Sequence, residues 1–233
     1  MMRILAFGIH PDDVELGCGG TVILAVSQGH DVIVADLSEG TASSNGSPEE
    51  RAAEAAEAAR VMGVRDRVNL GLPDTRIAGE DPEQVEKVVE CIRDLRPDIV
   101  IVPSSEDPHP DHASGGTLVK RAAYLSGVHG YHRGRDAWPV RNYLIYAGRT
   151  EFEPHVIVDV SSTHDTKVRA ILAHRSQFVA GEGRRPTPLN APDFLEFIEA
   201  RSRVYGRMIG CRYGEGFRMA KPFALNDLGL LCG

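Results

Sequence analysis

Apolar positions in the first half of the chain fall into short continuous runs, separated by longer segments with helical spacing. Residues 3–9 (RILAFGI), 31–37 (DVIVADL) and 98–102 (DIVIV) are nearly all apolar and rich in β-branched side chains, the pattern of strands covered on both faces. Residues 67–70 predict a shorter strand. Residues 21–28 predict a helix, with Gly29 as its stop. Ser47, Pro48 and Glu50 supply an N-cap, a first-turn proline and a capping-box acid for an Ala/Glu/Arg helix over 48–62. Asp81 and Pro82 start another helix, whose apolar face is Val85, Val88, Val89 and Ile92. A helix over 112–125 follows the polar loop 103–111.

Strands alternating with helices at this spacing imply βαβ units. The expected fold is α/β and Rossmann-like: a mostly parallel sheet with helices on both faces. The later chain is less regular. Residues 143–147 and 156–160 predict strands, 163–174 and 191–209 predict helices, and the tail from 210 onward has no clear period. With no internal repeat or break in composition, residues 1–233 are expected to form a single domain.

Composition adds limits to this picture. The chain is 42% hydrophobic and 25% charged, enough for a sizeable core. Lys+Arg 26 against Asp+Glu 33 gives a net charge of -7, which argues against a nucleic-acid or anionic-membrane partner. Cys18, Cys91, Cys211 and Cys232 form no CxxC pair and read as reduced thiols, hence a cytoplasmic location. The N-terminus reaches carboxylates too early for a signal peptide. No apolar run is of membrane-spanning length.

Two four-residue clusters carry the candidate chemistry. His10-Pro11-Asp12-Asp13 follows the first strand and His109-Pro110-Asp111-His112 follows the fourth. Proline restricts its own backbone and that of the residue before it, which suits a rigid turn. With strand order 3-2-1-4, strands 1 and 4 are neighbours at the switch point. Their carboxyl ends then bring the clusters into one crevice. Two histidines and one carboxylate make a mixed N/O shell suited to Zn²⁺ with an open fourth position. Of Asp12 and Asp13, one can bind the ion while the other takes a proton from the attacking water. The competing dinucleotide-binding reading is weak. Gly17-Cys18-Gly19-Gly20 comes late, and carboxylates stand where a pyrophosphate would lie.

HPDDVELGCGGT together with HPDH resembles the LmbE-like (PIG-L) family of zinc-dependent N-deacetylases. The likeness extends to Ser38-Glu39-Gly40-Thr41, Arg51, His174-Arg175-Ser176-Gln177-Phe178 and Tyr213-Gly214-Glu215-Gly216-Phe217, and so spans nearly the whole chain. The last two features are most similar to the bacillithiol-biosynthesis branch, which deacetylates N-acetylglucosaminyl-malate. The resemblance implies that His10, Asp13 and His112 are metal ligands and Asp12 the general base. It implies His109 as a polarising or acid group, Asp111 as the carboxylate that orients its imidazole, and Arg51 as a substrate contact. A solvated helix residue is the competing reading of Arg51. One Zn²⁺ per chain is implied, with Fe²⁺ able to occupy the same shell, and a homo-oligomer is expected.

Other residues carry less. His30 reads as a surface residue. His129 and His132, in a loop with Arg133 and Arg135, read as solvated. His174 and Cys18 read as packing, and Ser176 has no evident base for a serine mechanism. Arginines gathered in loops (Arg133, Arg135 and Arg141; Arg184 and Arg185) suggest an anionic aglycone on the substrate. The expected function is removal of the acetyl group from an N-acetylglucosamine conjugate, the malate conjugate being the one the resemblance implies. The alternatives are a deacetylase or amidase for another N-acetylglucosaminide or a thiol conjugate, and a non-catalytic metal-binding module.

Overall fold

The structure is a computed structural model that describes residues 1–132, 134–222 and 227. Among these residues seven strands form one sheet: β1 (Arg3–Gly8), β2 (Asp31–Asp36), β3 (Asp66–Asn69), β4 (Ile99–Pro103), β5 (Asn142–Tyr146), β6 (Val156–Asp159) and β7 (Gly214–Met219). Their order is β3-β2-β1-β4-β5-β7-β6. The first five in this order pair in parallel, while β7 runs antiparallel to both β5 and β6. The expected α/β sheet and its switch point between β1 and β4 are both present.

Helices are α1 (Asp13–Ser27), α2 (Pro48–Met62), α3 (Pro82–Leu95), α4 (Pro110–Leu125), α5 (His164–Ala173), the short α6 (Arg175–Phe178) and α7 (Phe194–Ile209). Alternate side chains of the central strands feed two cores. Leu5, Phe7, Ile33, Ala35, Val100 and Val102 pack with Val85, Val88 and Ile92 of α3 and Leu118 and Val119 of α4. Ile4, Ala6, Val32, Val34 and Ile101 pack with Val14, Cys18 and Val22 of α1, Met62 of α2 and Ala170 of α5. The near-continuous apolar runs are thus explained by burial on both faces. Among the described residues, no helix is long and apolar enough to cross a membrane.

Besides the short, unexpected α6 and a start of α4 two residues earlier than expected, two elements differ from the sequence expectation in ways that shape the interior. The first helix starts at Asp13 rather than at 21, and it kinks at Cys18 (φ -147°). The glycines around the kink permit close packing. A Cβ on Gly17 would lie 2.1 Å from the Tyr146 ring, and one on Gly20 would lie 2.9 Å from Val160. The amides of Gly20 and Thr21 donate to the Glu215 carboxylate at 2.9 and 2.7 Å. Glu215 belongs to β7, the second difference: an inner strand formed by the tail that shows no period in the sequence. Its buried acid is paired with Lys167 Nζ at 2.6 Å, so a polar residue faces the interior. Cys232 lies outside the described residues.

Candidate active site

The clusters meet at the carboxyl ends of β1 and β4. Pro11 and Asp12 form the turn from β1 into α1, and Asp12 adopts φ 128°, a region that non-glycine residues rarely enter. Such strain costs on the order of 1–3 kcal/mol and persists where surrounding structure imposes it. Asp13 is the first residue of α1. Its Oδ2 accepts hydrogen bonds from the amides of Ile9 (3.0 Å) and His10 (2.9 Å). This leaves Oδ1 turned to His112 Nε2 at 3.4 Å. His10 Nδ1 lies 3.8 Å from Asp13 Oδ2. His109 is the N-cap of α4, with Pro110 in its first turn; Asp111 and His112 follow.

His10, Asp13 and His112 each offer a ligand atom, all within 4.8 Å of one another. An ion with bonds of about 2.0–2.1 Å sets tetrahedral ligands roughly 3.3–3.4 Å apart, so the 3.4 Å approach of Asp13 to His112 fits it. The backs of both histidines face carboxylates. His10 Nε2 contacts Asp74 Oδ1 at 3.2 Å, and His112 Nδ1 lies 3.5 Å from Asp107 Oδ1. Carboxylates placed this way fix the orientation of metal-binding imidazoles. A second grouping, His10 with Asp74 and Asp111, shares the same imidazole.

The charges reflect this crowding. Burial opposes a charge on His112, but Asp13 and Asp107 outweigh it and lift the imidazole to about 9. For Asp13, burial is outweighed by His112, His10 and the two backbone amides, which hold the carboxyl below its usual range. Asp12 goes the other way. Burial, reinforced by the negative charge of Asp13, raises it to about 6 in spite of Arg51. The Asp12 side chain accepts no hydrogen bond among the described residues; its ion pair is with Arg51 at 3.6 Å. Burial and the neighbouring His112 and His10 lower His109.

Several residues sit differently from their sequence readings. Arg51 is buried rather than solvated: its guanidinium donates to Gly40 O and Pro11 O, both at 2.9 Å. Its Nε is buried with no partner among the described residues. The Asp111 carboxylate accepts from Thr75 N at 2.7 Å and faces His10 Nε2 at 3.7 Å. His109 Nδ1 meets the backbone amide of Asp111 instead, at 3.2 Å. The two residues are thus joined through the main chain, not through carboxylate and imidazole.

His174 is fully buried beneath the crevice, with Nε2 3.1 Å from Glu15 Oε1. Ser176 Oγ donates to Glu54. Burial raises the Cys18 thiol well above its usual value, consistent with packing. His132 lies against Glu86 and Glu90 of α3, outside the crevice. Of the loop arginines, Arg135 is paired with Glu90 and Asp94, and Arg184 with Glu50. Arg141 lies 3.7 Å from Asp98, at the opposite end of the sheet from the clusters. Arg133 lies outside the described residues.

Asp74 and Asp107 belong to the site although neither falls in a sequence cluster. Both lie in loops at the carboxyl ends of strands, β3 and β4, and that position is the signal that points to them. The clusters line a cavity of about 550 Å³, whose other walls include Arg51, Asp74, Asp107, Arg149, Leu189 and Arg201.

A doubly wound α/β sheet with a His/Asp ligand set at its switch point defines the class: an α/β protein whose crevice can hold a divalent cation beside a buried, unbonded carboxylate. Residues 5–123 match the PIG-L family, described as GlcNAc-PI de-N-acetylase. A diacetylchitobiose deacetylase of Thermococcus kodakarensis is 30% identical over 96% of this chain and 85% of its own length. The probable N-acetyl-α-D-glucosaminyl L-malate deacetylase 2 of Bacillus cereus is also 30% identical, over 75% of this chain and 83% of its own. The crystal structure of a conserved protein from Thermus thermophilus superimposes with a TM-score of 0.88 at 36% identity, covering 98% of this chain and 99% of that one. The chain belongs to the PIG-L (LmbE-like) family, and as a member it is a hydrolase of the N-deacetylase type.

Proposed function

We propose that this chain is a zinc-dependent deacetylase of N-acetylglucosamine conjugates, with His10, Asp13 and His112 as the metal ligands. The observation that carries the reading is Asp12: a buried carboxylate beside a three-ligand set, free of hydrogen bonds among the described residues and raised to about 6. A binding module has no need of such a group, whereas a general base works best near the operating pH. A bound zinc ion would polarise the amide carbonyl and acidify a water.

The protein's own residues supply the rest. Asp12 takes the proton from the attacking water, and Arg51, at 3.6 Å, holds that carboxylate in place. His109 accepts from the Asp111 amide at Nδ1, so its neutral form carries the proton on Nε2. That N–H donates a hydrogen bond to the carbonyl oxygen as negative charge develops there, and Asp12 passes the proton it took from the water to the leaving amine as the C–N bond breaks. Asp74 and Asp107 hold the backs of His10 and His112. The substrate role expected of Arg51 is proposed to be indirect, through Asp12, because its guanidinium already serves Gly40 O and Pro11 O.

The N-acetylglucosaminyl-malate conjugate is the proposed substrate, supported by the Bacillus cereus relative named for it. The Thermococcus relative is named for a neutral disaccharide, so the assay spans both. Release of free amine from N-acetylglucosaminyl-malate, diacetylchitobiose and methyl N-acetylglucosaminide is measured with the zinc-loaded, chelated and Fe²⁺-loaded protein. Hydrolysis that stops on chelation and returns with metal is expected. A zinc-loaded protein inert toward all three would overturn the reading.

A further inference from the structure

The arginines lining the crevice are not in equivalent states. Arg51 is committed to Gly40 O, Pro11 O and Asp12. Arg201 donates to Gly148 O at 2.7 Å and Leu16 O at 2.9 Å. Arg149, on the loop after β5, is exposed, and its guanidinium has no hydrogen-bond or ion-pair partner among the described residues.

Its main chain, by contrast, is held firmly. The Arg149 amide donates to Asp107 Oδ2 at 2.7 Å, and Asp107 Oδ1 accepts from the His109 amide at 2.9 Å. One carboxylate therefore ties the loop after β5 to the loop that bears His109 and His112. The preceding residue must be small: a Cβ on Gly148 would lie 2.2 Å from Asp107 Oδ2 and 3.8 Å from His112 Nδ1. The Gly148 carbonyl is fixed by Arg201. The positive charge of Arg149 also reaches the site, where it contributes to lowering His109.

From this arrangement we propose that Arg149 forms an anion subsite at the rim of the crevice and selects substrates whose aglycone carries a carboxylate or phosphate. The proposal rests on the deacetylase reading above. A guanidinium binds either oxyanion through two parallel hydrogen bonds, and an unpaired one gives up no protein partner when it does so. In a chain of net charge -7, with the other crevice arginines engaged by carbonyls and an acid, this exposed cation on the cavity wall remains available.

The test compares kcat/KM for N-acetylglucosaminyl-malate, N-acetylglucosamine 1-phosphate and neutral methyl N-acetylglucosaminide, in the parent and in Arg149→Met, Arg149→Lys and Arg149→Glu. The parent should favour at least one anionic substrate by about 10–100-fold, as a charge-assisted contact implies. That preference should weaken with added salt. Arg149→Met should bring the anionic-to-neutral ratio toward one, Arg149→Lys should keep part of it, and Arg149→Glu should reverse it. The malate and phosphate arms identify which oxyanion is read.

Calorimetric binding of the deacetylated malate conjugate and of methyl glucosaminide gives a second ratio that needs no turnover. A parent that hydrolyses none of the substrates would overturn the deacetylase reading, while this binding ratio would still report on Arg149. A ratio unchanged in Arg149→Met, by rate and by binding, would overturn the subsite.

Discussion

The crevice and the interior just beneath it both concentrate acids, but they balance them differently. Below the crevice, Arg67 donates to both oxygens of Asp36 (2.7 and 3.0 Å) and to Glu15 at 2.5 Å, with His174 closing the group. A few residues away, Glu215 is answered by Lys167 and by the freed amides at the α1 kink. In the crevice, Asp12, Asp13, Asp74, Asp107 and Asp111 surround three imidazoles, and one arginine makes an ion pair there, Arg51 with Asp12. Buried charge that closes on its own counter-charge maintains structure. Buried negative charge left in surplus, with ligand atoms converging, awaits a cation.

That contrast can be broken experimentally. The largest effect is expected at the paired aspartates. Asp13→Ala should lose both bound metal and turnover. Asp12→Asn should keep the metal, measured by elemental analysis, while kcat falls by about 10²–10⁴-fold. Near-parental turnover in Asp12→Asn would remove it as the general base.

In the balanced region the cost should appear in stability instead. Glu215→Gln leaves Lys167 buried and unpaired, and loss of one partner of such a pair costs about 3–5 kcal/mol. Denaturant unfolding measures it, and metal content should be unaffected. The pH dependence has a defined sign. Burial opposes the charge on Glu215, but Lys167 and Thr21 outweigh it and hold the folded carboxyl below its usual value. Its stabilisation is therefore full above the unfolded carboxyl's pKa and is lost as pH falls through the lowered folded value. Thermal melts from neutral pH downward should show that acid-sensitive component in the parent and not in Glu215→Gln. Parallel losses in both proteins would assign the acid lability elsewhere.

A smaller effect sharpens the comparison from the crevice side. Asp107→Asn keeps the shape of the side chain while weakening the electrostatic hold on His112. Zinc affinity, followed by competition with a chromogenic chelator, should fall by about 10–100-fold, and the unfolding midpoint of the chelated protein should fall slightly, because the amide nitrogen replaces one acceptor of the His109 or Arg149 backbone N–H. A change in stability with no change in affinity would place Asp107 with the balanced group.

How much of this is legible in advance follows from where the information lies. β1, β2 and β4 are legible because strands buried on both faces must be apolar along their whole length. β7 is not, because Gly214, Glu215 and Gly216 owe their interior places to Lys167, Gly206 and Tyr205, none of which adjoins them in the chain. The start of α1 is obscured because Gly17, Gly19 and Gly20 weaken a helix locally. Two of them are required by what packs against them, the Tyr146 ring and Val160. The arginine-rich loops suggest anion binding, yet Arg135 and Arg184 serve neighbouring acids, while Arg149 stands in no such cluster and, among the described residues, is the arginine left unpaired at the crevice.

Local pattern alone specifies the alternation of strands and helices and the two short clusters at strand ends, since hydrophobic period and proline-bounded turns are properties of neighbouring residues; the switch point between β1 and β4 follows from a strand order that the packed fold decides. Which charges are answered is settled by the packed fold. Whether a carboxylate is a structural partner, an orienting group behind a histidine or a free base depends on residues that strand order and helix packing deliver from distant parts of the chain. Asp12, Glu15, Asp74 and Glu215 differ less in chemistry than in the neighbours the fold assigns them.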